Sequence, residues 1–277
     1  MSDAHLITTA HLMTTASGCH FQSHPSCGYP APGIEDFYFK PIFTIGSFQF
    51  TKPILIMLLS AAIVLGVFWA AFRRPKMVPR GVQNVGELGI LAVRDQILRP
   101  QMGSKGDRYL PFLVTLFFFI WLMNLWELIP VGQFPATSKF AFPVGLTLVV
   151  WVTYLFVGMK HQGPIGYFKN MAVPPGAPWW ILPLLAPIEL LSNIIVRPFT
   201  LSIRLFANML SGHLLLLVFS IASWYLVSAT IGLLFAAVSF IVFLLVFVLE
   251  VLITLLQAFI FTTLTAFYIG DALEPAH

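Results

Sequence analysis

Charge is scarce in this 277-residue chain, since 9% of the residues are Asp, Glu, Lys or Arg while 58% are hydrophobic. A soluble domain carries about a quarter charged residues. The apolar residues also form several runs of about 20 residues, enough to cross a hydrocarbon layer of about 30 Å. The composition therefore excludes an ordinary soluble domain and predicts an integral membrane protein.

Cysteine is scarce as well. The only two, Cys19 and Cys27, precede the first apolar run. Two cysteines do not make a disulfide scaffold, and we interpret residues 1–50 as an extracytoplasmic tail. Three states stay open for the thiols: unpaired, which we favour, bridged in an oxidising compartment, or bound to a metal with the nearby histidines. We expect no metal site and no cofactor in the chain.

Basic residues are missing from the first part of the chain, where no Lys or Arg precedes Lys40. With no apolar run there either, we predict no cleavable signal peptide, so that the first membrane helix directs insertion. Eight of the fifteen Lys and Arg residues lie between Arg73 and Arg108. This cluster is a topology signal, not a nucleic-acid surface. It predicts a multi-pass protein of the inner or plasma membrane, with its N-terminus outside and its C-terminus in the cytoplasm.

The apolar runs predict an all-α fold with five crossings inside a membrane domain of residues 51–277. An amphipathic pattern between Val85 and Leu98 predicts a further helix that lies in the interface. The predicted crossings are 53–72, 110–128, 140–159, 179–229 and 232–270.

Proline is absent between Pro198 and Pro275, so little interrupts the last two apolar runs. At about 1.5 Å per residue each run would extend about 55 to 75 Å, nearly twice the hydrocarbon thickness. They therefore predict a hairpin tilted about 60° from the membrane normal, beyond the usual 0 to 40°. Pro187 and Pro198 permit a helix break that would reduce this tilt.

Arg204 is the most informative charge, because an ionised side chain in mid-membrane is expensive and needs a partner, water or a function. No acid lies within one helical turn of it, and Glu189 is fifteen residues away, about 22 Å along a helix. An arginine paired to a distant acid of its own chain is one interpretation. We favour a carboxylate on another subunit.

A hairpin that turns near residue 231 places residues of equal depth in pairs. Arg204 then lies level with Gln257, and His213 with Glu250. Glu250 and Gln257 are seven residues apart and share a helix face. A histidine and a glutamate in a wet cavity can both exchange protons near neutral pH, although a static buried pair is the alternative.

Four segments strongly resemble subunit a of bacterial F-type ATP synthases. They are RLFANMLSGH from Arg204, RPFTLS from Arg197, LLQAFIF from Leu255, and NLWELIP from Asn124. The resemblance covers about residues 80–268. It implies that Arg204 faces a ring of c subunits between two aqueous half-channels. Many bacterial members carry Glu then His where this chain carries His213 and Glu250, and Glu189 is about one residue out of register with the family's glutamate.

The resemblance implies a non-catalytic, proton-translocating stator subunit with no ATP chemistry of its own. It also implies c-ring and peripheral-stalk b subunits as partners, together with the lipid bilayer and protons, and no nucleic acid. The competing interpretation is a secondary transporter or ion channel with its own Arg/His/Glu site. That class often shows an internal repeat, and we find none. The candidate proton-pathway residues are Asn124, Glu127, Glu189, Asn193, Thr200, Arg204, Asn208, His213, Glu250 and Gln257.

Overall fold

The structure is a computed structural model. It describes residues 43–45, 48–73, 76, 80–129, 137, 139–172, 181–227 and 231–273. Most of the predicted N-terminal tail, including Cys19 and Cys27, lies outside this part. Two short strands, β1 (Phe43–Ile45) and β2 (Phe48–Phe50), form an antiparallel pair, which is the only β-structure among the described residues.

Helices make up nearly all of the rest. Two π-helical turns and one 3₁₀ segment connect α-helices without a loop, so that several elements form continuous rods. The α-helices are α1 (Lys52–Phe72), α2 (Val82–Val93), α3 (Arg99–Met102), α4 (Leu110–Leu125), α5 (Ala141–Gln162), α6 (Pro164–Ala172), α7 (Leu182–Leu191), α8 (Arg197–Tyr225) and α9 (Ile231–Leu273).

Five helical stretches are long and apolar enough to cross a membrane, which confirms the predicted all-α membrane fold. They are Lys52–Phe72, Val82–Leu125, Ala141–Gln162, Leu182–Tyr225 and Gly232–Leu273. The second stretch is longer than predicted because the amphipathic helix α2 runs on through short helical segments into α4. The predicted span 110–128 ends its helix at Leu125 and continues as a turn.

The predicted amphipathic helix is present as α2. Its apolar side chains Val82, Val85, Leu88 and Leu91 are all exposed, while it packs against α1 and α4. An apolar side that the protein leaves uncovered is suited to contact with lipid. Its place in the interface stays a prediction.

Proline also explains the two π-helical turns, Arg94–Leu98 and Ser192–Val196. Each is followed by an Arg-Pro pair, with the prolines at Pro100 and Pro198. Proline has no N–H to donate, and its ring clashes with the carbonyl four residues earlier, so a regular helix cannot pass through it undisturbed. In the first arm of the hairpin, the helix accommodates Pro198 by forming the π-helical turn Ser192–Val196.

The core lies where α4, α5, α8 and α9 meet. Ile120, Tyr154, Leu205 and Phe261 are almost completely buried there. Around it, large apolar side chains remain exposed along α1 and α9. The described part therefore has a narrow packed centre and a wide apolar exterior, which is the distribution that a bilayer requires.

We expect a structure in a lipid nanodisc to show α9 tilted by more than 40° from the membrane normal. Its 43 residues extend about 65 Å, and a hydrocarbon layer of about 30 Å cannot cover an upright apolar helix of that length. Helix α5, with 22 residues, is the internal control and should lie within 40°. An upright α9 would contradict the argument from length.

Candidate proton pathway

Arg204 lies on α8 with an exposed side chain. Among the described residues, no acidic side chain forms an ion pair with it. Thr200, Ala207 and Ser211 are exposed on the same side of the helix, as their spacing of three to four residues requires. Arg204 is therefore a cation on an outward face whose neighbours are small, so that another helix can approach closely.

Asn208 lies one helical turn after Arg204 and donates from Nδ2 to Oε1 of Gln257 on α9, at 2.8 Å. Gln257 is buried. The sequence predicted that Gln257 lies level with Arg204, whereas its hydrogen bond is to Asn208. Side chains lean toward the N-terminus of their own helix, so partners on antiparallel helices lean toward each other from different depths.

Glu250 is buried on α9, with 2% of its surface exposed. Its carboxylate packs directly against Gly212, so that a Cβ atom at Gly212 would overlap Oε1. Glu250 therefore lies within one residue of the depth predicted for it opposite His213. The absence of a side chain at Gly212 is what makes room for the carboxylate.

His213 contacts Glu127, which follows α4, with Nδ1 at 3.5 Å from Oε1, a distance at which a protonated imidazole forms an ion pair with a carboxylate. Glu250 reaches the same region, because its carboxylate packs against Gly212, the residue before His213. The two residues expected to form a pair thus belong to a set of three, with Glu127 supplied by another helix. Counting residues from the hairpin turn could not have predicted this contact, because Glu127 lies outside the hairpin. Glu127 was nevertheless a candidate, since it ends an apolar run.

Asn124 is also buried in this region, where its Oδ1 accepts a 2.8 Å hydrogen bond from Thr137. Four buried side-chain atoms of Asn124, Glu127 and Glu250 have no hydrogen-bond partner among the described residues: Asn124 Nδ2, both carboxylate oxygens of Glu127, and Glu250 Oε2. Buried polar atoms are normally satisfied. Such a cluster in an apolar protein is suited to taking up and passing on protons. Within the described part, no three His, Cys, Asp or Glu side chains are arranged to hold a metal ion.

The other candidates lie on the opposite side of Arg204 along the same rod. Glu189 is half-buried at the end of α7, and Asn193 is buried in the π-helical turn. Thr200 is exposed, and its hydroxyl donates to the carbonyls of Val196 and Arg197 at 2.8 and 3.1 Å. Along this rod, Glu189, Asn193 and Thr200 therefore precede Arg204, whereas Asn208 and His213 follow it.

Arg197 makes polar contacts that the sequence did not predict. Its guanidinium bonds Asp271 at 2.9 Å and lies 5.1 Å from the ring of Tyr268, which ties the start of α8 to the end of α9. Burial, together with the nearby Asp271, raises the pKa of Tyr167 in α6 to about 12. Partial burial has the opposite effect on an amine, and it lowers the pKa of Lys139, which precedes α5. Arg197 and Asp271 are far apart in the sequence, so their pairing becomes evident only in the folded hairpin, where the start of α8 meets the end of α9.

These features define a class, a multi-spanning membrane protein in which an outward cation without an ion-pair partner among the described residues lies near buried carboxyl and imidazole groups. A sequence model of the ATP synthase A chain family matches residues 54–270. The chain is 44% identical to ATP synthase subunit a of Streptomyces lividans over 262 residues, covering 94% of this chain and 92% of that protein. It is 44% identical over 251 residues to the subunit a of Frankia alni, at 89% and 86% coverage. For Nocardioides sp. the identity is 38% over 269 residues, at 90% and 95% coverage.

The chain belongs to the ATP synthase A chain family. This confirms the family that the sequence motifs predicted and, with it, a non-catalytic, proton-translocating subunit of the membrane sector. The interpretation as a secondary transporter or an independent channel is not favoured. The protein is a multi-pass membrane protein, as five long apolar helices require.

Proposed function

We propose that this chain is the stator surface on which a ring of c subunits turns, with Arg204 between two separate proton half-channels. The observation that carries the proposal is the position of Arg204. It is exposed on α8 and has no acidic partner among the described residues. A mid-membrane cation without a counter-ion is expensive, so a carboxylate on a neighbouring subunit is its natural partner.

The uptake half-channel lies on the outer side of the membrane, around Asn124, Glu127, His213 and Glu250. These side chains converge from α4, α8 and α9. Imidazole and carboxylate groups exchange protons when burial and mutual charge bring their affinities toward neutral pH. From this cluster a proton reaches the ring carboxylate and neutralises it, so that the carboxyl group can turn into lipid.

The release half-channel lies on the cytoplasmic side, around Glu189, Asn193 and Thr200. After nearly a full rotation, the protonated carboxyl group reaches this side and meets a polar environment again. There it loses its proton and approaches Arg204 as an anion. Asn208 and Gln257 hold each other by a hydrogen bond at the level between the two half-channels.

Arg204 has two effects in this scheme. Its charge lowers the pKa of an approaching carboxylic acid, and it raises the barrier for a proton that would pass directly between the half-channels. Arginine suits both effects better than lysine because it stays protonated in a protein. Ala207 and Ser211 on the same face let the ring helix come close.

We also propose the orientation and the partners. The basic cluster from Arg73 to Arg108 places that loop in the cytoplasm, with the N-terminus outside and the C-terminus inside an inner or plasma membrane. The c-ring faces α8 and α9. The b subunits of the peripheral stalk hold the chain against rotation.

The test is purification of the chain under mild detergent, followed by passive proton uptake into vesicles that contain the purified membrane sector. We expect a small, highly apolar subunit to co-purify in many copies, and uptake to require both components. Vesicles that hold either component alone are the controls. Proton uptake by this chain alone would contradict the proposal and would favour an independent channel.

A further inference from the structure

The π-helical turn between Glu189 and Arg204 has a clear cause. The N–H of Arg197 bonds the carbonyl of Ser192, a span of five residues instead of four. The next residue, Pro198, has no N–H. In a regular α-helix that missing N–H would have bonded Ile194 O, and with a span of five it would have bonded Asn193 O. Pro198 therefore leaves these two carbonyls without a backbone donor.

Two side chains of α5 supply the missing donors. Trp151 donates from Nε1 to Ile194 O at 3.0 Å, and Tyr154 donates from its hydroxyl to Asn193 O at 2.9 Å. Trp151 and Tyr154 are three residues apart and so lie on one face of their helix. Tyr154 is almost completely buried. A neighbouring helix thus satisfies both carbonyls at once, which stabilises the π-helical turn over alternatives that satisfy neither.

The turn decides which way Glu189 faces. A bond that spans five residues accommodates one additional residue, and each residue turns a helix by about 100°. With this additional residue, Glu189 lies on the helix line of Arg197 and Asn208, the line that faces α9. In a regular helix it would instead lie on the exposed line of Thr200 and Ala207. The observed half-burial of Glu189, with its neighbour Ile188 53% exposed, agrees with the first arrangement.

We propose that Trp151, Tyr154 and Pro198 are positioning residues for proton release. Together they hold the π-helical turn that keeps Glu189 beside, and not on, the face that the rotor passes. This inference rests on the proposed function, since it assigns a geometric requirement to the release half-channel. On the exposed line, the Glu189 carboxylate would lie against the passing ring itself, outside the polar environment into which the ring carboxyl group releases its proton.

The decisive experiment straightens the rod and then moves the glutamate. Pro198→Ala combined with Trp151→Phe and Tyr154→Phe restores the missing N–H and removes the two donors from α5, so that the rod can continue as a regular helix with Glu189 on the line of Thr200 and Ala207. We expect passive proton uptake by the assembled membrane sector to fall by at least about tenfold, since misplacement of a reacting group by about 1 Å can cost as much as a hundredfold. Adding Glu189→Leu and Leu190→Glu returns a carboxylate to the line of Asn208, and most of the uptake should return.

Recovery in the rearranged variant supports the inference, because a purely structural fault would not be repaired by moving one carboxylate. Normal uptake in the straightened variant would overturn it, as would a loss that the rearrangement does not repair. Arg204→Ala, measured in the otherwise native chain, reports separately on the proposed function. If it abolishes coupling while the straightened variant behaves normally, only the positioning role fails.

If the straightened chain does not assemble with the ring, a variant that perturbs the helix less tests the positioning role. Trp151→Phe with Tyr154→Phe removes the two donors and keeps the rings. We expect uptake to fall about tenfold with ring association unchanged. Thr153→Val is the matched control, because that hydroxyl bonds Val149 O within its own helix and should leave uptake normal. Unchanged uptake in the double variant, or loss of assembly in it, would contradict a positioning role.

Discussion

Arg204→Ala is expected to abolish proton-driven ATP synthesis while the membrane sector still assembles. The side chain is exposed and forms no hydrogen bond or ion pair with the described residues, so its removal breaks no contact that holds the helices together. Without the cation, a ring carboxylate keeps its proton as it passes. Direct leakage between the half-channels is then no longer opposed by a fixed charge in a medium of low dielectric.

The measurement is ATP synthesis driven by an imposed proton gradient in vesicles that contain the whole complex, together with the amount of c subunit that co-purifies. Synthesis should fall at least about a hundredfold, with the c subunit unchanged. Arg99→Ala is the matched control. Its ion pair with Asp95 is exposed and spans 3.9 Å, and such pairs contribute little, so synthesis should remain normal. Normal synthesis by Arg204→Ala would show that the central assignment is wrong.

The membrane helices could be predicted closely because length and composition decide them. The first span was predicted at 53–72, and a helix covers Lys52–Phe72. The last was predicted at 232–270, and a helix covers Ile231–Leu273. Apolar runs of this length have one stable arrangement in lipid, in which every backbone polar group bonds within its own helix.

Depth along the hairpin was also predictable, because one turn and a constant rise per residue relate its two arms. That argument placed Glu250 opposite His213, and the structure places its carboxylate against the adjacent Gly212. It could not show that His213 pairs with Glu127, since that contact depends on how α4 packs against the hairpin. The distance between two helices depends on tertiary packing, which the hydrophobic periodicity of each helix does not determine.

The π-helical turn shows a different limit. The sequence indicated that Pro198 permits a break, but not which kind. It also placed Glu189 about one residue out of register with the relatives it resembles, with no cause. The turn at Ser192–Val196 holds one additional residue, and its stability depends on donors from α5. The kind of break therefore depends on contacts between helices, which the sequence of a single helix does not contain.

Gly212→Ala is expected to lower passive proton uptake about a hundredfold with little effect on stability. The new Cβ would overlap the carboxylate of Glu250, which is the movable end of a flexible side chain and so can turn away without disturbing the backbone. Alanine also favours a helix over glycine by about 1 kcal/mol, which offsets part of the strain. The helices should remain packed while the carboxylate leaves the neighbourhood of Glu127 and His213.

Two further variants test this expectation: one places a shorter acid at position 250, and the other replaces a distant glycine. Glu250→Asp added to Gly212→Ala withdraws the carboxylate from the new methyl group by one methylene and should restore part of the uptake. Gly145→Ala is the matched control, since a Cβ there meets no atom within 4 Å. Uptake, thermal stability and ring association would be compared in all three variants. Normal uptake by Gly212→Ala would mean that Glu250 transfers no proton from its observed position, and the uptake half-channel would then have to run through Glu127 and His213 alone.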